Sequence, residues 1–218
     1  MESNLPKEIL QLKDILIEHP IDVIKTSPDG RINSILNESS VIEKLQEYIP
    51  KDILYIPPPR HWFDFCILDK DNDEKYYPVD IKITTTLTAD NASGMPSLIY
   101  ALTNINMQYN SYYDSNNTIK YFNKNYITEN TRDYYYLVIN NVHSEDVIVS
   151  SIKNLQHITP NKSNLPFQII WKKNRELSHM NSKETYSLIK SLYKENKPKK
   201  DYWKTIFMNV CHEESDSE

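Results

Sequence analysis

The hydrophobic pattern divides the chain into short, well-marked elements. Leu5, Ile9, Leu12, Ile15 and Leu16 recur at helical spacing, so a helix is predicted over 5–19, ended by Pro20. Ser27-Pro28-Asp29-Gly30 reads as a turn. A second helix is predicted from about Ser40, with Val41, Ile42, Leu45, Tyr48 and Ile49 on its apolar face and Pro50 closing it. Three successive prolines make 55–59 extended. Two strands follow, 62–68 and 76–86, joined by a charged hairpin turn over 69–75. In the second strand Val79, Ile81 and Ile83 take one face, and Asp80, Lys82 and Thr84 the other.

Residues 87–97 read as a loop, 97–112 as a helix and 114–133 as a polar, Asn-rich loop. The near-continuous apolar run 134–142 predicts a central strand buried on both faces, which makes Tyr134 to Tyr136 core residues. Further strands are expected at 147–152 and 167–171, a helix at 182–196, and a short helix or strand at 202–210. The sum is an α/β chain: a mixed sheet of about five strands flanked by helices. Without a repeat or a linker, 1–211 reads as one domain and 212–218 as an acidic, disordered tail.

Composition removes several functional classes. Of 218 residues only two are Gly, Gly30 and Gly94, so a Walker phosphate loop, a dinucleotide-binding turn and a G-x-S-x-G elbow are all excluded, and no nucleotide cofactor is expected. Two cysteines, Cys66 and Cys211, give neither a disulfide framework nor a zinc knuckle. A reducing, cytoplasmic compartment is the natural expectation. No apolar run reaches the ~20 residues of a bilayer span, so no membrane partner is expected. The net charge of −5 disfavours nucleic acid at first sight, but 172–204 carries ten Lys or Arg against four acids.

The chemistry is concentrated in Asp64 on one strand and Asp80-Ile81-Lys82 on the next. Two residues apart on a strand, Asp80 and Lys82 share a face, and the hairpin sets Asp64 beside them. Paired carboxylates can hold Mg²⁺ while leaving positions for water and a phosphate oxygen. A lysine nearby can stabilise charge that develops on the phosphorus. By residue type alone, the same pattern also fits a solvated sheet face carrying an Asp–Lys pair. Asp73-Glu74-Lys75 and Glu195-Asn196-Lys197 have the same spacing, in a charged turn and on a basic helix end.

Phe63-Asp64-Phe65, followed sixteen residues after Asp64 by Asp80-Ile81-Lys82-Ile83-Thr84-Thr85, resembles the PD-(D/E)XK nucleases. Within them the chain looks most like the EcoRV-like branch of type II restriction endonucleases. The resemblance covers roughly 27–105 and includes the Asp29-Gly30-Arg31-Ile32 turn and His61-Trp62 before the first acid. Phe63 stands where the motif has Pro, and Ile83 separates Lys82 from the Thr pair.

The resemblance implies a restriction-endonuclease-like core and Mg²⁺-dependent, sequence-specific hydrolysis of double-stranded DNA within a restriction-modification system, with a homodimer matching a palindromic site. Asp64 and Asp80 would ligate the metal, with Ile81 as a further metal contact, and Lys82 would assist the water. The family often adds an acid from the preceding helix; position makes Glu47 the choice, with Glu43 a turn earlier and Glu38 at the helix start. A repair or recombination nuclease of the same superfamily, and a non-catalytic DNA-binding protein on a degenerate nuclease fold, are the alternatives.

For DNA contact, the loop behind the catalytic strand offers Thr88, Asp90, Asn91 and Ser93, with Gly94 permitting close backbone approach. Lys172-Lys173-Asn174-Arg175 forms a second candidate loop for bases or phosphates, and Lys194 to Lys200 a further phosphate-contacting cluster.

Overall fold

The computed structural model describes residues 4–27, 30–70, 72, 75–92, 94–161, 167–176 and 178–195. Ser93, the element expected at 202–210, the acidic tail and Lys197, Lys199 and Lys200 lie outside the described residues. The described elements run α1 Lys7–Glu18, α2 Gly30–Tyr48, β1 Leu54–Tyr55, β2 Phe65–Leu68, β3 Tyr76–Thr84, β4 Asp90–Asn91, α3 Met95–Leu102, α4 Ser115–Thr118, β5 Tyr135–Asn140, β6 Val147–Ser151, β7 Ile158–Pro160, β8 Phe167–Ile169 and α5 Ser182–Glu195.

The fold is α/β with a mixed five-stranded sheet in the order β1-β2-β3-β5-β6. The β3–β5 pair is parallel and its neighbours are antiparallel. Strand alternation sorts the core into two layers. Val79, Ile81, Tyr135, Leu137 and Ile139 face Ile9, Leu12 and Leu16 of α1 and Val41 and Leu45 of α2. Tyr134, Tyr136 and Val138 face α3 and Tyr186 and Ile189 of α5. All six residues of β5 are buried, as its apolar run predicts. No helix among the described residues is long and apolar enough to cross a membrane.

Three elements differ from the sequence reading, each for a local reason. Helix α2 begins at Gly30, about ten residues before the expected start. Its first turns are held by polar side chains. Asn33 bonds the backbone N–H and C=O of Ser27, and Asn37 those of Ile24. The apolar residues of that stretch, Ile32, Ile35 and Leu36, point to solvent, so hydrophobic periodicity could not mark it.

Helix α3 stops at Leu102 instead of running to 112. The Thr103 hydroxyl donates to Ile99 O, and its oxygen accepts from Ile105 N, turning the chain out of the helix. The strand expected at 167–171 joins a second, three-stranded sheet, β4-β8-β7, while the short β1 completes the main one. Part of the expected loop 87–97 is thereby strand β4, paired to β8.

Candidate functional site

β3 carries the site because its two faces differ. Ile81 is buried among the α1 and α2 side chains, while Asp80 and Lys82 lie opposite Tyr136 and Val138 on the α3 face. The β2–β3 pairing, Phe65 against Val79, sets Asp64 next to Asp80. Asp64 is tied to β3 twice. Its N–H donates to Val79 O at 3.0 Å, and its Oδ2 accepts the Ile81 N–H at 2.6 Å. Lys82 Nζ lies 3.0 Å from Asp80 Oδ2, and Asp80 is only 8% exposed. The sequence-predicted trio is therefore assembled on one surface. Only the carbonyl oxygen of Ile81 could serve a metal, since its side chain is in the core and its N–H is taken.

Electrostatics add a fourth residue, Glu38 of α2. Burial pushes the Asp64 carboxyl well above the usual range, and the adjacent Asp80 charge pushes it further. Glu38 is also raised, first by burial. Its bond from Ser34 Oγ, at 2.7 Å, opposes this, while the Asp80 charge adds to it. Burial acts to lower the Lys82 ammonium, but the carboxylates of Asp80, Asp90 and Asp64 outweigh it, and the net shift is upward. The charges of three carboxylates, Asp80, Asp90 and Asp64, thus bear on one ammonium. That excess negative charge, partly removed from water, calls for a proton or a cation.

The donors are hard carboxylate oxygens, suited to a hard divalent ion. Among the described residues no three His, Cys, Asp or Glu side chains are gathered closely enough for one ion. The fit is to an ion taking one or two carboxylates and completing its shell elsewhere, which is the habit of Mg²⁺. An Asn at position 64 would keep an oxygen for the Ile81 N–H while removing the clash with Asp80. Asp64→Asn is therefore expected to stabilise the protein at neutral pH by about 1 kcal/mol. Calorimetry should show Tm higher by roughly 2–4 °C for a chain of this size. A fall in Tm would mean that the two carboxylates do not oppose each other.

Glu47, expected as the helix acid, is engaged elsewhere. Glu47 is 55% exposed and pairs with Lys44 at 2.9 Å. Nine residues separate it from Glu38, which puts them about 13.5 Å apart along the helix axis. Glu43 is exposed too. Because α2 starts at Gly30, Glu38 sits within the helix rather than at its mouth.

The proposed DNA-reading loops are also redrawn. Asp90 is engaged on both oxygens: Oδ2 accepts from Trp171 Nε1 at 3.2 Å and Oδ1 from Asn91 N at 2.9 Å. Asn91 Oδ1 accepts from Asn161 and Gln168 side chains. These residues build the small sheet. Asn174 is buried and structural, accepting from Gln156 N and His157 N and donating to His157 O and Ile170 O. Arg175 makes a two-pronged pair with Asp146 at 2.7 and 2.8 Å. Thr88, Lys172 and Lys173 are exposed. Lys172 N donates to Thr86 O just past β3, which brings the basic turn to that end of the strand. Thr86 is buried with φ 61°, a left-handed setting costly for a β-branched residue.

Asp64, Asp80 and Lys82 form one wall of a cleft of about 280 Å³. Arg60, His61, Trp62, Tyr112 and Tyr113 line the rest, and sequence reasoning assigned none of them a role in the site. His61 Nε2 donates to Ser111 O at 3.0 Å. Burial holds its pKa down, against the pull of that carbonyl, so the ring is neutral at physiological pH.

No family model matches this chain, and no curated protein matches its sequence. The functional reading therefore rests on the residues and their geometry.

Proposed function

We propose that this protein is a Mg²⁺-dependent phosphodiester hydrolase acting on double-stranded DNA, of the type II restriction kind that its sequence resembles. The observation that carries the reading is the lock on Asp64. A half-buried carboxylate bonded to the backbone of β3 stands beside the buried Asp80, which in turn holds Lys82. A merely solvated Asp–Lys pair needs neither the burial nor the second acid.

Asp64 and Asp80 would hold the ion, with the Ile81 carbonyl within the same stretch. Mg²⁺ supplies Lewis-acid polarisation of the phosphoryl group and a more acidic water. The carboxylates beside Lys82 favour its protonated form over a neutral amine that could act as a base. It acts instead as a fixed positive charge for the phosphoryl oxygens, positioned by Asp80. Glu38 takes the place of the helix acid. Lys172 and Lys173, at the end of β3, supply phosphate contacts. Cleavage within a short palindrome would use a homodimer.

The test is digestion of mixed-sequence DNA with Mg²⁺, followed by sequencing of fragment ends. Discrete ends sharing one short sequence are expected, and chelation should abolish them. Lys82→Ala should slow cleavage by roughly 10²-fold or more. It should leave DNA affinity in Ca²⁺ near wild type, because Lys82 meets charge that develops in the transition state. Random ends, or ends that persist undiminished in Lys82→Ala, would sink the reading.

A further inference from the structure

The cleft beside the acidic wall has an aromatic side whose residues are unequally engaged. Tyr134 OH donates to Trp62 O at 2.9 Å, and the two rings stack at 5.9 Å. Tyr113 OH accepts from Gln108 N, and its ring meets Trp62 edge-on. These groups hold one another and form the floor. Two residues at the mouth are different. Tyr112 is 70% exposed and makes no hydrogen bond or ring contact with any described residue. Arg60 is exposed and has no ion pair or hydrogen bond among the described residues, although carboxylates line the same cleft. Its φ of 68° is a strained setting for a residue with a side chain.

An aromatic face open to water and an unpaired guanidinium, both at the rim of a polar cleft, complement a base and a phosphate. The volume, about 280 Å³, lies just under the ~300 Å³ at which ligand pockets begin. That is room for one nucleoside and far too little for a stacked base pair. We propose that the cleft receives a single unstacked nucleotide of the substrate, with its base on Tyr112 and a flanking phosphate at Arg60, beside the phosphodiester at Lys82. The inference rests on the hydrolase reading, keeps its phosphodiester chemistry, and replaces the fully paired duplex as its substrate by DNA that presents an unpaired nucleotide. That nucleotide can come from a single strand or from a base extruded from the duplex.

The test is fluorescence anisotropy in Ca²⁺ on the full chain with three labelled probes. They are a thymidine oligomer of about twelve nucleotides, a fully paired duplex of similar length, and that duplex with one unpaired thymidine. The oligomer, the bulged duplex or both should bind more tightly than the paired duplex. Tyr112→Ala should weaken that binding by roughly 5- to 100-fold, the range for removal of one base–aromatic stack. Tyr112→Trp should restore it. Arg60→Ala should reduce the salt slope for the oligomer by about 0.7, one phosphate contact.

Tight binding of the oligomer alone identifies single strands as the source, and tight binding of the bulged duplex identifies extrusion. Equal affinity for all three probes, or no effect of Tyr112→Ala, overturns the proposal. Plasmid cutting in Mg²⁺ on the same preparations separates the two readings. Cutting without Tyr112 dependence removes the nucleotide pocket and leaves the hydrolase. Tyr112-dependent binding without any cutting removes the hydrolase and leaves the pocket as a nucleic-acid site.

Discussion

Asp80→Asn is expected to lower the single-turnover cleavage rate by about 10³-fold, the upper end of what one lost preorganised contact costs. The effect is large because Asp80 serves two neighbours. It is one of the two carboxylates proposed to hold the ion, and its Oδ2 fixes the Lys82 ammonium at 3.0 Å. An amide keeps the shape but loses the charge that both partners need. The folded state should not suffer, since Asp80 is also a source of the repulsion that raises Asp64. Circular dichroism and an unchanged or higher Tm would separate loss of chemistry from loss of fold. A variant cutting within tenfold of wild type would show that β3 holds only a surface ion pair.

Glu38→Gln should slow cleavage by roughly 10²-fold, while Glu47→Gln stays within about twofold of wild type. The contrast follows from the helix. Glu38 feels the charges of Asp80 and Lys82. Glu47 is bonded to Lys44 in a solvated i, i+3 pair, a kind worth only a few tenths of a kcal/mol. Equal effects would remove α2 from the site, and a larger effect at Glu47 would reverse the assignment. Rates should be measured with DNA saturating in Ca²⁺-matched binding assays, so that a change in affinity is not mistaken for chemistry.

The trio of Asp64, Asp80 and Lys82 was legible in the sequence because strand alternation is a rigid rule. Charged residues set between β-branched ones, with a second acid a hairpin away, have few other arrangements. The α/β sheet was legible for the same reason, since 76–84 and 135–140 each carry enough Val, Ile and Tyr to mark a buried strand. Glu38 was obscured because α2 starts on polar contacts from Asn33 and Asn37 rather than on an apolar face. The helix therefore looked ten residues shorter than it is. Asp90 and Asn91 were read as free loop residues because a two-residue strand leaves no periodic trace, and its partner β8 lies over seventy residues away. Asn174 was read as part of a loop for bases or phosphates, yet its amide satisfies four backbone groups. Arg60 and Tyr112 carry no pattern at all, because only the folded chain brings them to one cleft.

Pro78 stands in β3, where a central strand should not tolerate a missing N–H. The register explains it: pairing with β5 starts one residue later, at Val79, so up to the proline the strand is bonded only to β2, and from Val79 onward it is bonded to β5. Asp80 and Lys82 fall on the part held by β5, with the Asp64 carboxylate bonded to Ile81 N on the other side. Fixing the backbone of a residue costs about 1–2 kcal/mol of conformational entropy. For the stretch from Val79 to Thr84 that cost is met once, when the sheet forms. A ligand arriving at the carboxylates finds their backbone already fixed, so little of its binding free energy is lost to ordering the chain.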